Sequence, residues 1–340
     1  MTRVRRWTTW LSWIALVLAL LLMVRADVAH LRWVDRLSQE GSPPPRSSAD
    51  SPTGYVKGQR HFLGAQERGD TYRWIAATQE LIASGPYATA IYLGDSAPTG
   101  RPRLLPKLYT FWLAAISWTL HLVTGDPVGI CVERAALWEP VISHVLAFAA
   151  FAAFVGVRHG AIAATIAALF FALFPAVSGQ FLPGVLTPRT WALLLAAYAI
   201  ALQLRPPQPG KNPLAFSIRS ALAASFSLWL DPAFGFPAAL ISTAAGALRT
   251  RTERPPHAGT LAGSLIGAVV TLAACLIDQN PWSPAAGELR YVHPLYALAW
   301  LGLGLTLDGW QHSRGAERRR KARVAESVAG LLFIAPLVYV

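Results

Sequence analysis

Charge is scarce in this sequence. Asp, Glu, Lys and Arg make up 14% of its 340 residues, against about 25% in a soluble domain. So few charges cannot cover a water-facing surface, which excludes an ordinary soluble globule. Cysteine is scarcer still, with Cys131 and Cys275 standing alone. They form no metal knuckle and no Cys-x-x-Cys redox motif. Both fall near the outer ends of apolar runs, so a disulfide stays open, although two free buried thiols are expected. His61, His121 and His144 share no ligand spacing. No phosphate-binding glycine loop occurs, which argues against nucleotide-driven transport.

What the chain has in quantity is hydrophobicity, at 54%. The apolar residues come in runs of span length separated by clustered charges, the pattern of an all-α polytopic membrane protein. The net charge of +12 would suit nucleic acid, but the basic residues sit in short loops, where they set topology. Arg3, Arg5 and Arg6 precede the run 8–24, and no small-x-small cleavage site follows it cleanly. An uncleaved anchor over 1–24 with a cytoplasmic N-terminus is predicted. Residues 25–136 are then a long outer loop, and 137–340 a helical bundle. Working back from the basic cluster Arg314 to Arg323, spans fall near 294–309, 259–277, 233–248, 219–230, 190–204, 161–178 and 137–157. With the anchor and the last apolar run this makes about nine. The alternate loops hold Arg249, Arg251 and Arg254, then Arg205, Lys211 and Arg219, then Arg158. The opposite loops hold only Arg189 and Arg290. That parity leaves no crossing for 108–123, which is expected to lie along the membrane surface or to dip in and return. The short pair 219–230 and 233–248, joined by Asp231-Pro232, is expected to be a hairpin ending below the outer surface.

The one long polar interval runs from Arg60 to Lys107. Within it, Asp70 to Ser84 is predicted to be a helix with Trp74, Ile75, Ala77, Leu81 and Ile82 on its apolar face, ended by Gly85-Pro86. Asp70 after Gly69 suits an N-cap, and Arg73 could pair with it at i, i+3. The segment Gly94 to Pro106 is turn-rich and carries Arg101 and Arg103. Asp231 at a hairpin tip is notable because carboxylates at membrane depth are costly. Arg189 and His293 stand at outer span ends, where headgroup contact is the plain reading. Glu67 and His61 lie close to Asp70 in sequence. Glu133 and Glu139 flank the span at 137–157, and the interiors of the long runs lack carboxylates, which disfavours a transporter, as does the absence of internal repeats.

Five stretches, in order, carry a resemblance. They are Gly69-Asp70-Thr71-Tyr72-Arg73-Trp74, Pro98-Thr99-Gly100 with Arg103-Leu104, Phe181-Leu182-Pro183-Gly184, Leu228-Trp229-Leu230-Asp231-Pro232 and Tyr291-Val292-His293-Pro294. In this order the chain resembles the GT-C superfamily of membrane glycosyltransferases, which includes the oligosaccharyltransferase catalytic subunit, and within it a divergent bacterial branch. The resemblance implies sugar transfer from a polyprenyl-phosphate-linked donor at the outer face of the inner membrane. It makes Asp70 the catalytic base, and Arg73, Arg101, Arg103, Arg189, Asp231 and His293 substrate-binding residues. Two places depart from the family. Val185-Leu186-Thr187-Pro188-Arg189 stands where an acid followed by two histidines is usual, and Arg101-Pro102-Arg103 where a His-Trp step is usual. No metal ligand set and no cofactor are therefore assigned; a divalent ion stays open, its second acid unfound. The rival is a degenerate, non-catalytic relative that binds lipid-linked sugar or a partner.

Overall fold

The computed structural model describes residues 2–41, 55–56, 59–60, 69–85, 91–92, 101–102, 105–204, 213–252, 259–278 and 292–312, with 324, 328 and 330. Among these the chain is helical apart from two antiparallel pairs of two-residue strands, β1 (Tyr55–Val56) with β2 (Gln59–Arg60) and β3 (Ile91–Tyr92) with β4 (Arg101–Pro102). It divides into two compact units, Met1–Ala90 with Thr110–Thr187, and Ile91–Tyr109 with Pro188–Val340.

The first unit holds α1 (Thr2–Gly41), α2 (Gly69–Ser84), α4 (Val128–His159), α5 (Ala161–Leu173), the short α6 (Pro175–Ser178) and a 3-10 turn, Gly179–Phe181. Helix α3 (Lys107–Thr124) begins in the second unit and continues into the first. In α1, Ser12, Leu16, Ala19 and Met23 are buried at helical spacing, and the helix packs on α4 and α5. The Thr165 hydroxyl donates to the Ser12 carbonyl at 3.1 Å. On the opposite side Trp13, Ile14, Val17, Leu18, Leu21 and Leu22 are exposed, an apolar face suited to lipid.

The second unit packs α7 (Arg189–Gln203), α8 (Pro213–Leu230), α9 (Pro232–Thr252), α10 (Gly259–Asp278) and α11 (Pro294–His312) around an alanine-rich core. Ala199, Ala224, Ala238 and Ala268 surround Trp300 there. Small side chains let the backbones close up, and serines join them. Ser220 donates to the Ala199 carbonyl, Ser227 to that of Ala192 and Ser225 to that of Gly267, at 2.7, 2.7 and 3.3 Å. Asp231 alone separates α8 from α9, as the hairpin reading requires. A Cβ added at Gly235 would stand 2.0 Å from the Leu228 Cα, so only glycine lets these two helices meet.

Among the described residues three helices are long and apolar enough to cross a membrane: Ser12–Trp33, Val128–Val157 and Gly259–Asp278. Two boundaries differ from the sequence reading. The apolar stretch of α1 continues past Val24 to Trp33, because Arg25, Asp27 and Arg32 are no helix breakers and the first breaker run is Gly41-Ser42-Pro43. Helix α4 starts at Val128, after Pro127, and not at 137. Glu133 and Glu139 therefore do not flank the candidate span but lie inside it, buried at 4% and 3% exposure. Asp27 likewise lies inside the first. Long apolar helices here do hold carboxylates, contrary to the sequence reading, so a lack of them does not count against a transporter. Trp112 Nε1 and the Ser143 hydroxyl donate to Glu139 Oε1 at 3.1 and 2.5 Å.

Candidate functional site

In the first unit the site is built where α2 starts. Helix α2 runs from Gly69 and closes at Gly85, whose N–H donates to the Leu81 carbonyl at 3.0 Å. Its buried face is Thr71, Trp74, Ile75, Thr78 and Gln79, a clean i, i+3, i+4, i+7, i+8 set. This face is turned from the one the apolar residues alone suggested, since Ala77, Leu81 and Ile82 are only half-buried. Polar contacts account for the turn. Gln79 Nε2 donates to the Gly129 carbonyl at 2.9 Å and approaches Glu133 Oε1 at 3.5 Å.

Thr71, with no exposed surface, reaches the Phe181-Leu182-Pro183-Gly184 stretch. Leu182 to Val185 is a β-turn closed by the Val185 N–H on the Leu182 carbonyl at 3.0 Å. Proline stands second, and glycine third at φ 81°, the residues a type II turn demands. The Thr71 hydroxyl donates to the Gly184 carbonyl at 3.1 Å and accepts the Leu186 N–H at 3.3 Å. One side chain thus satisfies two buried backbone groups of the turn.

Asp70 is the second residue of α2, inside its first turn and not before it. Its side chain lies outside the described residues, as do those of Glu67 and His61. Arg73 is exposed on α2. Val185 and Leu186, which stand where an acid and a histidine are usual in the resembling family, are buried at 5% and 3% exposure. Cys131, here, is a free buried thiol, and so is Cys275 in the second unit.

In the second unit Arg189 Nε donates to Asp231 Oδ2 at 3.1 Å, with the arginine side chain 65% exposed and the aspartate 15%. Asp231 Oδ1 accepts the Ala233 N–H at 2.9 Å, capping α9. His293 caps α11 in the same manner: its Nδ1 accepts the Leu295 N–H at 3.1 Å and its carbonyl the Tyr296 N–H at 3.0 Å. Arg101 lies in β4, paired with Tyr92, its side chain outside the described residues; Arg103 is outside them altogether.

Sequence reasoning missed Asp278, the last residue of α10. Its Oδ1 accepts the Lys107 backbone N–H at 3.0 Å and its Oδ2 the Trp229 Nε1–H at 2.8 Å. Lys107 Nζ donates to the Ile277 carbonyl at 2.7 Å. One carboxylate caps α3 and fixes the Trp229 of the Leu-Trp-Leu-Asp-Pro stretch. An acid closing an apolar run was the available signal. Among the described residues no three His, Cys, Asp or Glu side chains are grouped to hold a metal ion.

No family model matches the sequence, and no curated protein matches it either. Among solved structures the chain is similar to the archaeal oligosaccharyltransferase AglB from Archaeoglobus fulgidus, in complex with an inhibitory peptide and a dolichol-phosphate. The identity is 15% and the TM-score 0.62, over 98% of this chain and 38% of that one. The chain spans less than two-fifths of the length of its match. At this identity the likeness shows the fold alone: the chain shares the helical fold of the matching part of that oligosaccharyltransferase.

Proposed function

We propose that the chain is a GT-C-like glycosyltransferase moving a sugar from a polyprenyl-phosphate-linked donor to an acceptor. The observation that carries this reading is the Thr71 hydroxyl, which joins the first turn of α2 to the turn at 182–186. Two of the stretches behind the resemblance meet there, beside the backbone of Asp70. The fold likeness supports it, and that protein was captured with a dolichol-phosphate.

In this reading Asp70 takes the proton from the acceptor nucleophile as it attacks the sugar carbon. The bond from that carbon to the phosphate oxygen breaks, and the lipid phosphate leaves with the electron pair. The departing negative charge needs fixed positive charge, for which guanidinium is suited. Arg189 is our candidate, with Arg73, Arg101 and Arg103 as further donors and Asp231 and His293 as substrate contacts. A divalent ion on Asp70 would serve the same phosphate, but its second carboxylate is not at the expected place. On this reading the N-terminus of the anchor is in the cytoplasm, the outer region ends where α4 begins, and the chain crosses the inner membrane about nine times.

A second reading has its own support. The apolar, buried Val185 and Leu186 fill the place of a catalytic acid and histidine, as in a degenerate relative that binds lipid-linked sugar without turnover. The test uses the full chain in lipid nanodiscs, with polyprenyl phosphate as binding probe and polyprenyl-phosphate-linked sugars as donors. Saturable binding plus transfer that D70N abolishes, with binding kept, supports the enzyme. Binding without transfer in the unmutated chain selects the degenerate relative. No binding of the lipid overturns both.

A further inference from the structure

An ionisable pair, its histidine buried and its aspartate partly buried, joins two apolar helices of the first unit. His144 on α4, 1% exposed, donates its Nδ1–H to Asp27 Oδ2 on α1 at 2.9 Å. Asp27 lies within Ser12–Trp33 and His144 within Val128–Val157, both candidate spans. A carboxylate and an imidazole at such depth are costly to desolvate, and an apolar pair of like volume would pack there at lower cost. The pair does not serve packing alone. The His144 ring lies flat against Phe181, with centroids 4.4 Å apart and planes 6° from parallel. Phe181 opens the stretch whose turn holds Thr71. The ring's other nitrogen, Nε2, is buried without a hydrogen-bond partner among the described residues.

The χ2 torsion of a histidine is broad and roughly two-fold, so a hydrogen-bond partner narrows the plane of the ring. Asp27 supplies that partner and sets the plane of the ring; the ring sets the plane of Phe181. We infer that His144, oriented by Asp27, is a positioning residue for the turn at 181–186. It acts through the Phe181 stack, and on the proposed glycosyltransferase reading it holds in place the segment against which Asp70's helix starts. The connection runs from α1 through α4 to the turn and then through Thr71 to α2.

The test separates position from stability. Val185 is buried in the turn, so Val185→Cys in nanodiscs reports its opening by the rate of maleimide labelling. Cys131, fully buried on α4, reports whether the unit stays folded. Three backgrounds are compared: Asp27→Leu, His144→Phe, and both together. His144→Phe keeps a ring for the stack but loses the hydrogen bond. The double variant removes both polar groups, which leaves no stranded charge and preserves stability. Labelling of position 185 is expected to rise about tenfold in each, with the double no worse than the singles. The double variant decides the matter if a single exposes Cys131. Labelling at the unmutated rate in the double variant overturns the inference. Polyprenyl-phosphate binding is read on the same samples. Raised labelling where even the unmutated chain binds no lipid would leave the positioning role standing and remove the functional reading.

Discussion

The Thr71 hydroxyl sits between the Gly184 carbonyl, 3.1 Å away, and the Leu186 N–H, 3.3 Å away, and answers both. The two partners lie more than a hundred positions along the chain from it. Replacing Thr71 by valine keeps the volume and leaves two buried backbone groups unsatisfied. The expected cost is about 1–3 kcal/mol, read as a lowered Tm of the detergent-solubilised chain. Serine at 71 keeps the hydroxyl and should stay close to the unmutated protein. Equal melting of the valine and serine variants would refute the bridging role.

Arg189 and Asp231 are paired, yet their removal should not cost the same. The arginine is 65% exposed, so R189Q should change stability by less than about 1 kcal/mol. D231A removes the pair and also the cap on α9, which adds about 0.5–2 kcal/mol. Affinity for polyprenyl phosphate should order them the other way, falling in R189Q. Equal melting shifts for the two variants would count against the capping account, and unchanged lipid affinity in R189Q would remove Arg189 from the proposed site.

Asp278 holds two groups from different elements. D278L should release the Lys107 N–H and the Trp229 indole together. Hydrogen exchange at the first turn of α3 should speed up by about tenfold or more, consistent with losing a bond to a carboxylate worth roughly 1.5–3 kcal/mol. Exchange at the far end of α3, near Thr124, is the internal control. Acceleration at both ends alike would mean general loosening, not loss of a cap.

Gly235 and Gly179 give a direct contrast. A Cβ at Gly235 meets the Leu228 backbone at 2.0 Å, whereas one at Gly179 meets nothing within 4 Å. G235A should destabilise by about 1–3 kcal/mol or more through forced separation of α8 and α9. G179A should be near neutral. Thermal melting of the two side by side checks the closeness of the hairpin.

The sequence made α2 legible because its end signal is local: Gly85-Pro86 stops the helix wherever the rest of the chain lies. The hairpin at Asp231-Pro232 was legible for the same reason. The buried face of α2 was not, because Thr71 and Gln79 are inward by virtue of partners far along the chain. The start of α4 was misplaced because Glu133 and Arg134 look like loop residues until Gln79 approaches the glutamate. Asp278 was overlooked since its two donors come from Lys107 and Trp229, remote in sequence. Local punctuation can be read from one sequence, but the long-range hydrogen bonds of buried polar groups cannot.

Asp231 divides its work between its two oxygens, one toward the guanidinium and one toward the start of a helix. The division gives it a fallback. An anion drawing Arg189 aside would leave the carboxylate still anchored by an amide and aided by the positive end of α9. The arginine could then be lent out and returned without the hairpin coming undone, like a hinge pin that stays seated while its latch swings open.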